Sequence, residues 1–302
     1  MFQYKPFSDR KLDVQYRNLL KRIKEEGELV DTQQEHPAKR VIGHQMRFNL
    51  EDGFPMITER DLFFGNRSVF SQSLGELFAF LHGARTQQEL ENFGCSWWKD
   101  WVTPEKCAKR GLPPGDLGDG SYGAAWCKFP TAEGEPFNQI KHLVEQITEL
   151  PYLRTHFVSP WIPQYIGRGK RKQQRVVVAP CHGWIHVFTN IRTRELSLHH
   201  FQRSADVPVG LVCNLIEYAA LTLMLAQVTG YTARNLIYTL SDAHIYEGQM
   251  KDVDDMLATE PRPFPTVEID PTVRNLLDFR QEHFRINDYY PQLPRRKIWT
   301  PI

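Results

Sequence analysis

The sequence is poor in the residues that build cross-linked or metal-bound scaffolds. Its five cysteines, Cys95, Cys107, Cys127, Cys181 and Cys213, are odd in number and irregularly spaced. No CxxC pair occurs, so neither a structural zinc site nor a redox dithiol is expected, and no metal is assigned. Mostly free thiols suit a reducing cytoplasm. Residues 1–10 are polar and aromatic with no apolar h-region, so no secretory signal is expected. The most apolar segment, Leu211 to Val228, carries Asn214, Glu217 and Gln227. It falls short of the roughly 18–20 apolar residues of a membrane span and reads as a buried helix. With 37 Lys and Arg against 36 Asp and Glu, the formal charge is +1, so no global field draws nucleic acid. Neither an internal repeat nor a low-complexity tract divides the chain.

What is present suits one α/β domain over residues 1–302. Hydrophobic residues make up 41% and charged residues 24%, enough for a substantial core. Apolar spacing predicts an amphipathic helix over Leu12 to Glu26 closed by Gly27, and a helix over Val69 to His82 closed by Gly83. A short helix over Gln87 to Gly94, one over Phe137 to Leu150 and a long buried one over Pro208 to Gly230 complete the set. Strands are predicted over Val41 to Leu50, Val176 to Val178, Trp184 to Ile191 and Leu196 to Phe201, with 107–122 as loop. A large mixed sheet flanked by helices, of α+β type, is the expected architecture.

Five features carry chemistry. Cys181 lies between Pro180 and His182; it is either a buried structural thiol or a nucleophile. A nucleophile needs a nearby cation, and Arg203 supplies one if the strands bring it close. Arg203 and Ser204, in Gln202-Arg203-Ser204-Ala205-Asp206-Val207, suit a phosphate, or are a solvated strand end. Asn214 is a polar residue in an apolar run, so its amide must be satisfied by local backbone or by a ligand. On a uracil edge an amide pairs with one donor and one acceptor. Asp242, His244 and Tyr246 alternate, so in a strand they share a face that suits a sugar hydroxyl. Glu76 is a lone acid on an apolar helix, a solvated position or a general acid/base with a raised pKa.

Taken in order, these segments resemble the thymidylate synthase family. The resemblance is carried by Gly43-His44-Gln45-Met46-Arg47-Phe48-Asn49-Leu50, Asp52-Gly53-Phe54-Pro55, Gly75-Glu76-Leu77 and Gly115-Asp116-Leu117-Gly118. Pro180-Cys181-His182, Gln202-Arg203-Ser204, Asp206-Val207, Gly210-Leu211 and Asn214, and Asp242 with His244 and Tyr246 complete it. It runs from about residue 12 to the C-terminus. The resemblance implies that Cys181 adds to C6 of dUMP and that methylenetetrahydrofolate gives a one-carbon unit to C5. It implies that Asn214 reads the uracil edge, that His244 and Tyr246 hold the ribose, and that Arg203 and Ser204 bind phosphate. Arg203 also sits by the thiolate. Glu76 and His182 handle protons, and Tyr122 helps to remove the C5 proton. Asp206 contacts the pterin, Trp98 and Trp101 pack around the folate, and Ile302 closes the site. A homodimer is implied, with Arg154 given to the partner's phosphate site.

The chain departs from the family pattern in several places. The arginine of the family's phosphate loop falls on Gln33, with Lys39 or Arg40 as substitutes, and an arginine pair is reduced to Arg154-Thr155. Residues 104–114 read as an insertion. The basic run Arg168 to Arg175 follows Trp161-Ile162-Pro163, and Trp299-Thr300-Pro301 precedes the last residue. Two fates of the shared intermediate are expected: reductive methylation to dTMP, the commoner, or hydroxymethylation to 5-hydroxymethyl-dUMP. A catalytically lapsed nucleotide- or RNA-binding homologue is the competing class. It rests on the basic run, which otherwise reads as a solvated loop or a patch for the folate's polyglutamate tail. Joint retention of the cysteine, the acid and the tyrosine speaks against it.

Overall fold

A computed structural model describes residues 2–301; Ile302, expected to close the site, lies outside the described residues. The helices are α1 (Gln15–Glu26), α2 (Val69–Leu81), α3 (Gln87–Asn92), α4 (Pro104–Ala108), α5 (Tyr122–Cys127), α6 (Gln139–Glu149), α7 (Pro163–Ile166), α8 (Val212–Val228) and α9 (Met250–Leu257). The strands are β1 (Glu28–Val30), β2 (Ala38–Asn49), β3 (Phe157–Val158), β4 (Trp184–Asn190), β5 (Glu195–Asp206), β6 (Thr232–Tyr246), β7 (Thr266–Ile269) and β8 (Phe284–Asn287). Six strands form one sheet in the order β1-β2-β6-β5-β4-β3, and β7 and β8 make a small hairpin-like pair. β5 and β6 run parallel and every other pairing is antiparallel, so the sheet is mixed, as the sequence suggests.

The parallel pair positions the site. A parallel connection needs a crossover, and α8 provides it. α8 is mostly apolar and buried along nearly all its length, as a helix clamped between layers must be, with Asn214 and Glu217 as buried polar exceptions. On the sequence reading this run is too short for a membrane span; residues 207–228 are long and apolar enough by length and composition, yet most of them are packed inside the protein. α1 and α8 lie against the sheet, and α2 lies against α8. One hydrophobic core runs from Tyr16 to Ile298. On the other side of the sheet Ile42 is 67% exposed, and Gln45, Arg47 and Phe188 are exposed too.

Several boundaries differ from the sequence reading, each for a local reason. α1 starts at Gln15, because the Asp13 carboxylate accepts from the Gln15 N–H (2.9 Å) and Leu12 stays in solvent. β2 starts at Ala38, where pairing with Val30 of β1 extends it. The 107–122 loop includes the end of α4, which begins behind a Thr103 cap with Pro104 at its first position. Val176 to Val178 is not a strand: its one ladder-like contact is the Val177 N–H to the Leu117 carbonyl (2.9 Å). β5 runs on past Phe201 to Asp206, pairing Ser204 with Asp242 and Asp206 with His244 on β6. The long helix opens with a π-helical turn, Val207–Leu211, around Pro208, and becomes α-helical at Val212.

α2 carries Glu76 into the core, and Gly75 sets how closely it approaches. A Cβ at Gly75 would lie 2.5 Å from the Phe93 carbonyl oxygen. Gly75→Ala must push α2 off the 93–95 turn. The expected cost is about 1–3 kcal/mol of stability, seen as a lowered Tm. An unchanged melting curve would show that this helix has room to shift.

Candidate active site

Cys181 is held by its neighbours before any ligand is considered. The Arg203 N–H donates to the Cys181 carbonyl (2.8 Å), which fixes the 179–181 loop to β5. The guanidinium repeats the fastening: Nε donates to the Pro180 carbonyl (2.7 Å) and Nη2 to the Ala179 carbonyl (2.8 Å). Nη2 also lies 3.3 Å from Cys181 Sγ. On the other side the Cys181 N–H donates to Tyr122 Oη (2.8 Å). Burial pushes the thiol up, Asp242 adds to that, and the Arg203 charge with the Tyr122 contact opposes it. The cation that a nucleophilic cysteine needs is therefore in place.

Behind the cysteine lies a buried polar layer. Gly183, at φ +98°, turns the chain so that its N–H donates to His200 Nε2 (2.9 Å). That bond makes Nε2 the acceptor and leaves the proton of this neutral ring on Nδ1. His182 stacks on Tyr122 (centroids 4.3 Å) and its Nδ1 bonds Tyr218 Oη (2.6 Å). Burial first, then the Arg203 charge, lowers the His182 pKa to about 3. His182 is thus a neutral hydrogen-bonding group and not a cation. Glu76 Oε1 accepts from the indole N–H of Trp97 (3.0 Å) and from that of Trp98. Glu76, His182 and Glu217 bring ligand-capable atoms within 4.8 Å of one another, the one such group of three among the described residues. Glu76 already serves two indole donors, so the cluster reads first as a proton network.

Asn214 sits 5% exposed at the head of α8, one turn past the π-helical segment. Its Oδ1 accepts from Gln202 Nε2 (3.1 Å) and its Nδ2 donates to Glu217 Oε2 (3.2 Å). Gln202 Oε1 accepts in turn from Tyr238 Oη. One amide N–H and one carbonyl lone pair of Asn214 remain uncommitted to these partners.

β6 presents Asp242, His244 and Tyr246 on one face, as alternation requires. His244 Nδ1 lies 3.3 Å from Asp242 Oδ1, and Ser204 Oγ donates to Asp242 Oδ2 (3.0 Å). Burial would raise the Asp242 pKa, but the His244 and Ser204 contacts together hold it below the usual range. Burial pushes the Tyr246 pKa up to about 12, so its phenol stays protonated. Asp206 accepts from Gln249 Nε2 (3.1 and 2.9 Å) and from Thr300 Oγ1 (2.7 Å). The C-terminal tail therefore folds back over the site, with Trp299 edge-on to Tyr246.

The basic groups divide. Lys39 turns away to the Lys24 carbonyl (2.7 Å), whereas Arg40, one residue on, belongs to the opposite face of β2. Arg40 pairs across the sheet with His244, and its charge reaches Asp242. Of the two proposed substitutes, Arg40 is the one on the site side. Arg168, from the basic run, donates to Gln33 Oε1 (3.0 Å), so a guanidinium stands at the position where the sequence lacks one. Arg175 is spent elsewhere, on Asp119 and over the Tyr165 ring. Arg154 is exposed beside β3, and its guanidinium makes no hydrogen bond or ion pair among the described residues. Trp101 lies at the rim with Lys106 5.4 Å over its ring.

The structure thus gathers Cys181, Arg203, Tyr122, His182, Glu76, Asn214, Ser204, His244, Tyr246, Asp206 and Trp98 around one end of the parallel pair, and leaves Arg154 outside it. Sequence reasoning missed Glu217, Trp97, Gln202 and Tyr218 as site residues. For Glu217 a signal existed: it is a second polar residue three positions after Asn214 in the same apolar run, hence on the same helix face.

A half-buried cysteine beside a guanidinium, a buried amide, a polar strand face and a buried acid meet at the end of a mixed sheet. The thymidylate synthase family model matches residues 14–298, and the chain belongs to that family. The family transfers a one-carbon unit to C5 of dUMP with methylenetetrahydrofolate as co-substrate.

The Arg203 contact predicts a pH effect. A thiolate stabilised by Arg203 forms at lower pH than one that is not, so the alkylation rate should rise through a lower midpoint. Arg203→Gln should move the midpoint for Cys181 alkylation by iodoacetamide upward. An unmoved midpoint would show that the guanidinium holds the loop without acting on the thiol.

Proposed function

We propose that this protein reductively methylates dUMP to dTMP. Cys181 is the nucleophile: its thiolate bonds to C6, and the electron pair moves to the C5–C4–O4 enolate, which Asn214 and the Glu76 network stabilise by hydrogen bonding. Methylenetetrahydrofolate, when bound, supplies the one-carbon unit and the hydride that reduces it. The residues fit such a partner: Asp206 offers a buried acceptor for pterin N–H groups, and Trp98 and Trp101 offer aromatic faces. Tyr122, bonded to the Cys181 N–H, is placed to help take the C5 proton before Cys181 leaves. Ser204, Arg203 and Arg40 face the phosphate end, with Arg168 at the position of Gln33, and His244 with Tyr246 faces the ribose.

The observation that carries methylation over hydroxymethylation is the closure of the site. The paired indoles of Trp97 and Trp98 wall off Glu76, and the tail clasps Asp206 through Thr300. Excluding water favours hydride transfer over water attack on the C5 methylene. Hydroxymethylation is the second reading, favoured by one observation. Glu217 beside Glu76 gives the site two carboxyl groups where one would serve, and the pair suits a water that must be deprotonated. The mass of the nucleotide formed from dUMP and methylenetetrahydrofolate separates the two. Gain of CH2 with dihydrofolate formed supports methylation; gain of CH2O with tetrahydrofolate unoxidised overturns it. In the same assay wild-type protein should trap 5-fluoro-dUMP covalently and Cys181→Ala should not; a wild-type protein without that adduct would sink the covalent mechanism.

We further propose a homodimer joined through the open sheet face, where Ile42, Phe157 and Phe188 stand exposed. Arg154, free at that edge, is then available to the partner's phosphate. Arg154→Ala and Cys181→Ala proteins should each be inactive alone. Symmetry leaves one intact site per mixed dimer, so an equimolar exchange should recover about a quarter of wild-type activity. No recovery after verified subunit exchange would return Arg154 to its own subunit.

A further inference from the structure

Glu217 is 2% exposed on α8, three residues beyond Asn214, and faces Glu76, 4% exposed on α2. Two carboxyl groups this close in a dry interior cannot both carry charge; one proton is shared between them. The donors say where it resides. Glu76 Oε1 already accepts from two indole N–H groups. Glu217 takes one amide N–H on Oε2, and its Oε1 has no partner among the described protein groups at ordinary hydrogen-bond geometry. Burial first, then the Glu76 charge, drives Glu217 toward its neutral form. The titratable groups facing this pair bring no opposing cation. His182 is neutral, and Cys95, Cys213, Tyr218 and Tyr238 are all pushed up by burial and stay protonated.

A neutral Glu217 completes a directed chain. Tyr238 Oη donates to Gln202 Oε1, Gln202 Nε2 to Asn214 Oδ1, and Asn214 Nδ2 to Glu217 Oε2. The acid O–H is left to point at Glu76. Gln202 Nε2 also donates to the Ser204 carbonyl (3.0 Å), which can only accept, so the Gln202 amide has one orientation and the link to Asn214 one direction. The chain forbids the flipped Asn214 amide: flipping would set its NH2 against the Gln202 NH2. Asn214 then shows a base one fixed pattern, an N–H for a carbonyl oxygen and a lone pair for a ring N–H. That pattern complements uracil O4 and N3–H and opposes cytosine N4–H2 and N3.

We propose that Glu217, holding the proton it shares with Glu76, is a positioning residue that locks the Asn214 amide and so sets the preference for a uracil over a cytosine nucleotide. The inference rests on Asn214 being the base-reading residue and is independent of which product forms. Its test compares dUMP and dCMP binding and infrared spectra in full-length wild type, Glu217→Gln, Glu217→Leu and Asn214→Asp. Glu217→Gln reproduces the protonated acid, with a carbonyl for Asn214 and an N–H for Glu76. It should keep the dUMP-to-dCMP affinity ratio while losing a protonated-carboxyl C=O band that wild type shows at pH 8. Glu217→Leu removes the acceptor, and the ratio should fall about tenfold, the effect of leaving one buried donor unpaired. A wild-type spectrum without the carboxylic acid band overturns the shared proton. An unchanged ratio in Glu217→Leu, with Asn214→Asp shifting preference toward dCMP, overturns the positioning role alone. An unchanged ratio in Asn214→Asp overturns the reading beneath it. If Glu217→Leu does not fold, a Glu217→Gln protein with a lost affinity ratio is sufficient to reject the proposal.

Discussion

The active site depends on one guanidinium. Arg203 joins the end of β5 to the 179–181 loop through two carbonyls and the Cys181 thiol, and its own N–H adds a backbone bond to the same loop. Charge-assisted bonds of this kind are about twice as strong as neutral ones. They stand in for the strand that the Val176–Val178 pattern suggested, so the loop is held to β5 by one backbone bond and the Arg203 side chain. One charge therefore holds Cys181 in place and lowers the cost of ionising its thiol. Trp161, 5.8 Å from that guanidinium, covers it from outside.

Behind Arg203 the site is organised by desolvation. His182 and His200 are neutral because burial opposes their charged forms, and the tyrosines keep their protons for the same reason. A layer of neutral donors and acceptors with fixed directions can hold a base and its enolate without reorganising. The indole donors of Trp97 and Trp98 fasten the Glu76 carboxyl within that layer. A second carboxylate at Glu217 is tolerated by keeping its proton, which is why the acid pair and the amide that reads the base form one unit.

Much of this was legible in the sequence, and the exceptions share a cause. Asp242, His244 and Tyr246 could be placed on one face because strand alternation is rigid. Glu76 and Asn214 could be singled out because polar residues in apolar runs need partners. The partners themselves were not legible. Nothing local joins Trp97 to Glu76 across 21 residues, or Gln202 to Tyr238 across 36. Helix and strand bounds slipped wherever one side chain decided them: Asp13 at the start of α1, Thr103 before α4, and Pro208 in the π-helical turn. Alternation also left β5 short at Phe201, because past that point the strand carries site residues whose polarity hides its pairing with β6.

The departures from the family pattern lie mainly on the phosphate side and at the tail, and the structure gives them a common physical reading. Phosphate binding needs positive charge at a set place, but the backbone that delivers it is free to change. Gln33 stands where an arginine was expected, and Arg168, from a distant loop, reaches it. Arg40 shares a register position with His244 and lies 3.6 Å from Glu28, while Lys39 turns to the Lys24 carbonyl, so strand alternation separates two cations adjacent in sequence. The buried layer around Asn214 has no such freedom, because its hydrogen bonds are directional. A charge can be supplied from another loop; an amide that must be held in one of two orientations cannot.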